Sequence, residues 1–323
     1  MVPQQSQRSS CIGASTRRGV LRGLAATGLL AGVSGTAGAV ADSRSRQQND
    51  GTAQGEPAPF ASIEFTNQST DGTTVVVDST VLSAGGFVTI HDLSLFEAKP
   101  LESVVGVSAY LDPGSHSDVS VQLFDVPGRT IDQQAIDEPM PLIAMPHADS
   151  NDNQTYEFVT SEGNEDAQYV QADLPVVDLG FVSPGDAPAG DQAQFASLDF
   201  ENQSVTDSTV TVGEVVLSDG GFVVCHDARL FQGQAFESVV GVSAYLDPGS
   251  HTAVEVQLDD PSAITTVEFP PAPPLIPMPH RDTNGNQSYD FSTSQGQEDG
   301  PYVSAGQPVV DLGFVAGSDS SGS

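Results

Sequence analysis

The chain has 323 residues, 43 of them acidic and 10 basic, for a formal net charge of −33, with two cysteines and no tryptophan. A field of that sign repels phosphate-rich surfaces, so neither nucleic acid nor an anionic membrane is expected as a partner. Cys11 falls in the leader described next, which leaves Cys225 without an intrachain disulfide partner; it aligns with Ile90 of an internal repeat and reads as a small buried apolar residue.

The first 41 residues read as an export signal. Thr16-Arg17-Arg18-Gly19-Val20-Leu21 has the twin-arginine pattern, a Gly/Ala-rich run follows from Gly23 to Ala41, and Ala39-Val40-Ala41 offers a small-residue cleavage site. Glycines interrupt the run, which is marginal for crossing about 30 Å of hydrocarbon. The expectation is an extracellular or cell-surface protein, exported by the twin-arginine route, with no membrane span after processing. Arg8, Arg17, Arg18 and Arg22 leave with the leader, so 43 acids face six bases and Lys99 is the sole lysine. The acids are spread evenly, 20 in residues 60–182 and 17 in 195–315. The Debye length is about 30 Å at 0.01 M salt and about 3 Å at 1 M. An acidic, lysine-poor surface of this kind is built for brine.

Residues 42–59 form a polar, flexible lead-in. Two repeats follow. Glu102 to His116 (ESVVGVSAYLDPGSH) recurs letter for letter at 237–251, and Pro175 to Val182 (PVVDLGFV) recurs at 308–315. Copy one spans 60–182, a Pro/Gly/Ala linker 183–194, copy two 195–315, and a Ser/Gly tail 316–323. Each copy is domain-sized, and the period is too long for a solenoid.

In chain order, copy one begins with Ile63 and Phe65 alternating with polar neighbours. Val75 to Val77 and Val81-Leu82 bring β-branched density, and Phe87 to Ile90 follows a Gly85-Gly86 turn. Val104 to Leu111 leads into Asp112-Pro113-Gly114, a type II turn signature. Val119, Val121 and Leu123 alternate with Ser120 and Gln122. Asp125 to Pro141 reads as a surface loop. Leu142 to Met145, Tyr156 to Val159 and Val176 to Val182 are further short apolar runs. Seven or eight short strands with no helical periodicity predict an all-β chain of two tandem immunoglobulin-like β-sandwiches.

Gly-Gly-Phe-Val-x-x-His-Asp at 85–92 and 220–227 comes first. Val-Gly-Val-Ser-x-Tyr-Leu-x-Pro-Gly-x-His follows, then Met-Pro-His with an Asp-x-Asn-x-Asn loop. In this order the set resembles an uncharacterised domain that recurs, often in tandem, in exported proteins of halophilic archaea. The resemblance implies a β-rich extracellular module and transfers no catalytic residue.

Two constellations carry candidate chemistry. All six histidines fall in matched pairs, His91/His226, His116/His251 and His147/His280. Three imidazoles brought to one end of a sandwich would suit Zn²⁺ or Cu²⁺, and Met145 and Met278, two residues before His147 and His280, add a thioether that favours copper. The alternative is that each histidine hydrogen-bonds a nearby backbone. The second constellation is Asp149, Asn151, Asn153 and Glu157, matched by Asp282, Asn284, Asn286 and Asp290. Oxygens at alternate positions suit a hard cation, with Ca²⁺ the natural ion. Thr160 and Thr293 stand where an EF-hand has its bidentate Glu, so this is not an EF-hand. An Asx-rich turn is the competing reading. Asp92 with Glu102, and Asp227 with Glu237, are carboxylate pairs of the kind a glycosidase uses, but in so acidic a chain such pairs arise by chance. No nucleophile elbow, zinc-protease motif, phosphate loop or dinucleotide fingerprint occurs. The composite expectation is a non-enzymatic, cation-stabilised surface module with an extracellular protein or glycan as ligand. An exported copper- or zinc-binding protein is the alternative.

Overall fold

The computed structural model describes residues 58–185 and 194–316, apart from 265, 266, 269 and 271. The leader, nearly all of the lead-in, residues 186–193 of the linker and residues 317–323 of the tail lie outside the described residues. Both copies belong to one compact unit, residues 56–323. Among the described residues no helix is long and apolar enough to cross a membrane.

Copy one contains β1 (Ala61–Glu64), β2 (Gln68–Thr70), β3 (Thr74–Leu82), β4 (Gly86–His91), β5 (Val104–Val107), β6 (Gly114–Leu123), β7 (Met140–Ala148), β8 (Val170–Gln171), β9 (Leu174–Pro175) and β10 (Asp178–Pro184). Copy two repeats the series as β11 (Ala196–Asp199), β12 (Gln203–Ser204), β13 (Thr209–Leu217), β14 (Phe222–His226), β15 (Val239–Ser243), β16 (Gly249–Leu258), β17 (Pro274–His280), β18 (Val303–Ser304), β19 (Gln307–Pro308) and β20 (Gly313–Ala316). The protein is all-β, with two tandem sandwich-like domains. The strand order is β1-β3-β6-β5-β4-β7-β10-β2, and copy two follows the same order. Strand β5 bonds β4 as well as β6, so the layers of each copy are one folded sheet.

The fold follows from patterning and from one strand switch. On β6, Val119, Val121 and Leu123 point inward while Ser120 and Gln122 face solvent, so one face closes on a core with Val75, Val77, Val88 and Ile90. Strand β1 pairs with β3, and the chain then crosses to β2, which lies parallel to β10. The Gln68 side chain closes the gap that this leaves on β3: its amide donates to Val76 O at 2.8 Å and accepts from Val76 N at 2.8 Å, a side chain standing in for a strand. Gln203 does the same to Thr211.

Two local expectations need correction. Tyr156 to Val159 is not a strand. It lies in a run of turns with positive φ at Asp152, Gln154, Glu162 and Asp166, and Tyr156 and Phe158 are anchors that pin this cover over Phe87 and His147. Their i, i+2 spacing imitates strand alternation. The Asp125–Pro141 connection is not wholly superficial either: Val126 and Ile136 are buried, and Ile136 N–H donates to Gly72 O at 2.7 Å.

The two copies pack against each other. Leu95, Phe96, Ile143, Met145 and Leu179 of copy one share an apolar cluster with Ile276, Leu312 and Phe314 of copy two. The contact is isologous, each patch meeting its own counterpart. Phe96 stacks on Phe231, the same position in the other copy, at a centroid distance of 6.0 Å. Asn67 Nδ2 donates to Pro308 O at 2.8 Å, and reciprocally Asn202 Nδ2 donates to Pro175 O at 2.9 Å. Each asparagine's Oδ1 accepts from its own copy's last strand, Phe181 N and Phe314 N, both at 2.8 Å.

Candidate functional site

The histidines divide into a buried pair and an exposed single in each copy. His91 ends β4 and His147 lies near the end of β7, on the face of the sheet turned away from the copy's own core. They are buried, with ring centroids 5.9 Å apart; His226 and His280 repeat this spacing. His116 and His251 lie on β6 and β16, where each ring Nε2 bonds the carbonyl four residues back, Asp112 O or Asp247 O, at 2.7 Å. The third imidazole therefore serves its own tight turn. Among the described residues no group of three or more His, Cys, Asp or Glu side chains is arranged to hold a metal.

Hydrogen bonds fix the protonation of the buried pairs. His147 Nδ1 lies 2.6 Å from Asp166 O, and His280 Nδ1 lies 2.6 Å from Asp299 O. A carbonyl only accepts, so Nδ1 carries the proton and the neutral ring has a bare Nε2. Burial lowers both rings to about 4, and His226 to about 3 with help from the neighbouring His280. His91 is likewise depressed, by burial first and His147 second. Ser103 and Ser238 hydroxyls bond Nδ1 of His91 and His226 at 2.8 Å. The copies differ at Nε2. Thr89 Oγ1 lies 2.9 Å from His91 Nε2, whereas Val224 occupies that position in copy two and His226 Nε2 has no partner. Nε2 of His147 and His280 and the hydroxyls of Tyr156 and Tyr289 are also buried without partners. Met145 and Met278 sit between the paired histidines in strand register, opposite Thr89 and Val224.

The acidic loops close on themselves. Asp149 accepts from Asn153 N at 3.2 Å and Gln154 N at 2.8 Å. Asn151 and Asn153 turn their amide nitrogens onto Glu157, at 2.9 and 2.6 Å, which holds that carboxyl below its ordinary range. In copy two Asp282 accepts from Gly285 N, Asn286 N and Gln287 N. Asn286 and Asn284 donate to Asp290 at 2.7 and 3.3 Å and depress it likewise. The side-chain oxygens of the asparagines accept backbone N–H groups. The loops bring the expected residues together, as Asx turns around a carboxylate fed by amide donors.

The carboxylate pairs take separate structural roles. Asp92 caps a short 3-10 turn, accepting Ser94 N at 2.9 Å, while Glu102 is exposed. Asp227 is buried against Arg229, at 2.9 Å. Cys225 is buried and its thiol is pushed up to about 12.

Sequence reading missed four acids that organise the structure. Asp166 sits beneath the first acidic loop and accepts Ser150 N at 3.0 Å and Glu157 N at 2.7 Å; Asp299 does the same for Thr283 N and Asp290 N. Asp178 and Asp311 lie in the join between the copies. The signal for the latter was present: a lone acid inside Val-Val-Asp-Leu-Gly-Phe-Val, twice.

Two curated proteins of Haloarcula hispanica, Cell surface glycoprotein 1 and Cell surface glycoprotein 2, are 36% and 34% identical to this chain over 126 residues. Each match covers 39% of this chain and only 12% of the relative. Residues 61–183 and 196–316 each match the domain of unknown function DUF7282, and the chain therefore belongs to that family, in two tandem copies.

Proposed function

We propose that the protein is a non-enzymatic structural module of a halophile's cell surface or extracellular space, presenting two domains as one body to an extracellular protein or glycan. The observation that carries this reading is the isologous join, which makes a single element of two copies. The glycoprotein relatives support the location. Partition of the tagged protein between envelope, medium and cytosol, with protease shaving of whole cells in concentrated salt, tests it. Recovery in a protease-protected cytosolic pool would sink it.

Cation stabilisation belongs to this reading as diffuse screening of the acidic surface. A Ca²⁺ ion at Asp149 or Asp282 would have to displace the amide donors from Glu157 and Asp290. Thermal unfolding with Ca²⁺ against matched ionic strength separates the two. A calcium-specific gain abolished in D149N/D282N would replace screening with a bound ion.

A second reading, transition-metal binding, is favoured by one observation: the bare, buried Nε2 atoms of His226 and His280 with Met278 between them in register. Soft Cu⁺ suits two imidazoles and a thioether. Metal analysis of the protein purified at high salt tests this, with loss of copper in H226A/H280A as the expected result.

A further inference from the structure

Asp178 and Asp311 are the same position in the two copies, and they meet at the join. Asp178 opens β10 and Asp311 lies two residues before β20. Each carboxyl accepts two backbone N–H groups: Asp178 from Phe65 and Leu179, both at 2.6 Å, and Asp311 from Phe200 at 2.6 Å and Leu312 at 2.5 Å. Each is 8% exposed, beside the apolar cluster that Leu179, Leu312 and Phe314 help to build. The two carboxyls are neighbours that act on one another side chain to side chain. Ionised carboxylates only accept, so a hydrogen bond between them requires a proton. The charged surroundings offer no substitute. Glu64, at the end of β1, acts on Asp178, and its counterpart Asp199, at the end of β11, feels Glu64 in turn. The largest influences on either carboxyl include no lysine, arginine or histidine.

We propose that Asp178 and Asp311 share a proton across the join and make the contact between the copies a proton-linked clasp, closed at neutral and lower pH and loosened as alkali removes the proton. Burial is the first cause holding both carboxyls up, Asp178 to about 7 and Asp311 well above the ordinary range, the latter also through the charge of Asp178. Two buried like charges side by side cannot both ionise cheaply, and the two titrate as a pair. The folded pKa is raised, so the clasp's contribution is complete below the unfolded value of about 4 and is lost as pH climbs through about 7 and beyond. At 8% exposure the pair is a fastening rather than an open catalytic dyad.

The test uses the full chain in concentrated potassium chloride. Infrared spectra should show the carbonyl stretch of a protonated carboxyl at neutral pH, fading as pH rises and missing from D311N. Thermal midpoints followed from about pH 6 to about pH 10 should fall in the wild type and fall less in D311N, whose amide donates to Asp178 without titrating. That amide keeps a single acceptor oxygen to serve the Phe200 and Leu312 N–H groups, so D311N should be less stable throughout; the slope with pH is the readout, not the level. D178N is the reciprocal variant, and the wild-type band decides should neither variant fold. Absence of that band at neutral pH, its survival in D178N/D311N, or parallel pH profiles would overturn the clasp.

Discussion

Replacing Phe314 by alanine tests whether the two copies are one body. Phe314 is fully buried on β20, and its ring meets Phe96 of the other copy edge-on, centroids 6.3 Å apart. The ring fills space bounded by Leu179, Ile276 and Leu312, which lie on or beside hydrogen-bonded strands that cannot collapse inward. Truncation of a buried phenylalanine into an unrelaxed cavity costs about 3–5 kcal/mol. For a cooperative unit of about 250 residues, each kcal/mol lowers Tm by roughly 2 °C. The midpoint should therefore drop by about 6–10 °C, as a single transition, in calorimetry or circular dichroism at high salt. Phe60, 62% exposed, is the control, and F60A should leave the midpoint in place. A drop worth less than about 1 kcal/mol would show that burial at the join contributes little. A split into two transitions, only one displaced, would show that the copies unfold separately.

Three further outcomes are expected. Gly221 has φ +135°, and an added Cβ would sit 1.9 Å from His280 O, a backbone atom fixed by the β14/β17 pairing; G221A should fail to yield folded protein, judged by solubility and a collapsed β spectrum. N202A removes the acceptor for Phe314 N and the donor to Pro175 O, so it should cost about 1–3 kcal/mol, read from denaturant midpoints. Dialysis below about 0.1 M salt, where screening lengthens toward the spacing of surface charges, should abolish the far-ultraviolet β signal; a spectrum indifferent to salt would defeat the brine reading of the 43 acids.

What could be read from residues alone was whatever has a short period. Val119, Val121 and Leu123 alternate because one face of β6 meets water, and β6 is where the alternation places it. Leu142 to Met145 reads only as an apolar run. The structure explains it: Leu142 and Ala144 face the copy's own core, while Ile143 and Met145 face the join. An unbroken run signals burial on both sides but does not name the second cover. The histidine pairs were visible as recurrences, yet their geometry depends on which strands become neighbours, so the departure of His116 from His91 and His147 was not. At Asp149 and Asp282 the spacing suits both a cation and an Asx turn. Only the direction of the asparagine amides distinguishes them, and spacing is silent on that.

The comparison between copies carries a second kind of information once the join is known. Inside each domain the copies have drifted: Thr80 faces Val215 in alignment, Ile90 faces Cys225, Ala144 faces Pro277, and Thr89, beside His91, faces Val224. A core position touches only its own copy, so each half can repack alone. The paired residues at the centre of the join show no such drift, although Leu93 and Leu174 at its margin face Ala228 and Gln307. Leu95, Phe96, Ile143, Met145, Asp178, Leu179 and Phe181 recur as Leu230, Phe231, Ile276, Met278, Asp311, Leu312 and Phe314. In an isologous contact a residue on the axis meets its own counterpart, so a change in either copy spoils a pair that the other half cannot repair. The Phe96–Phe231 stack needs two rings, and a shared proton needs the carboxyls of both Asp178 and Asp311. Retention of a buried acid in both halves of an unchanged segment is costly in stability unless the partner across the axis is also an acid able to share that proton.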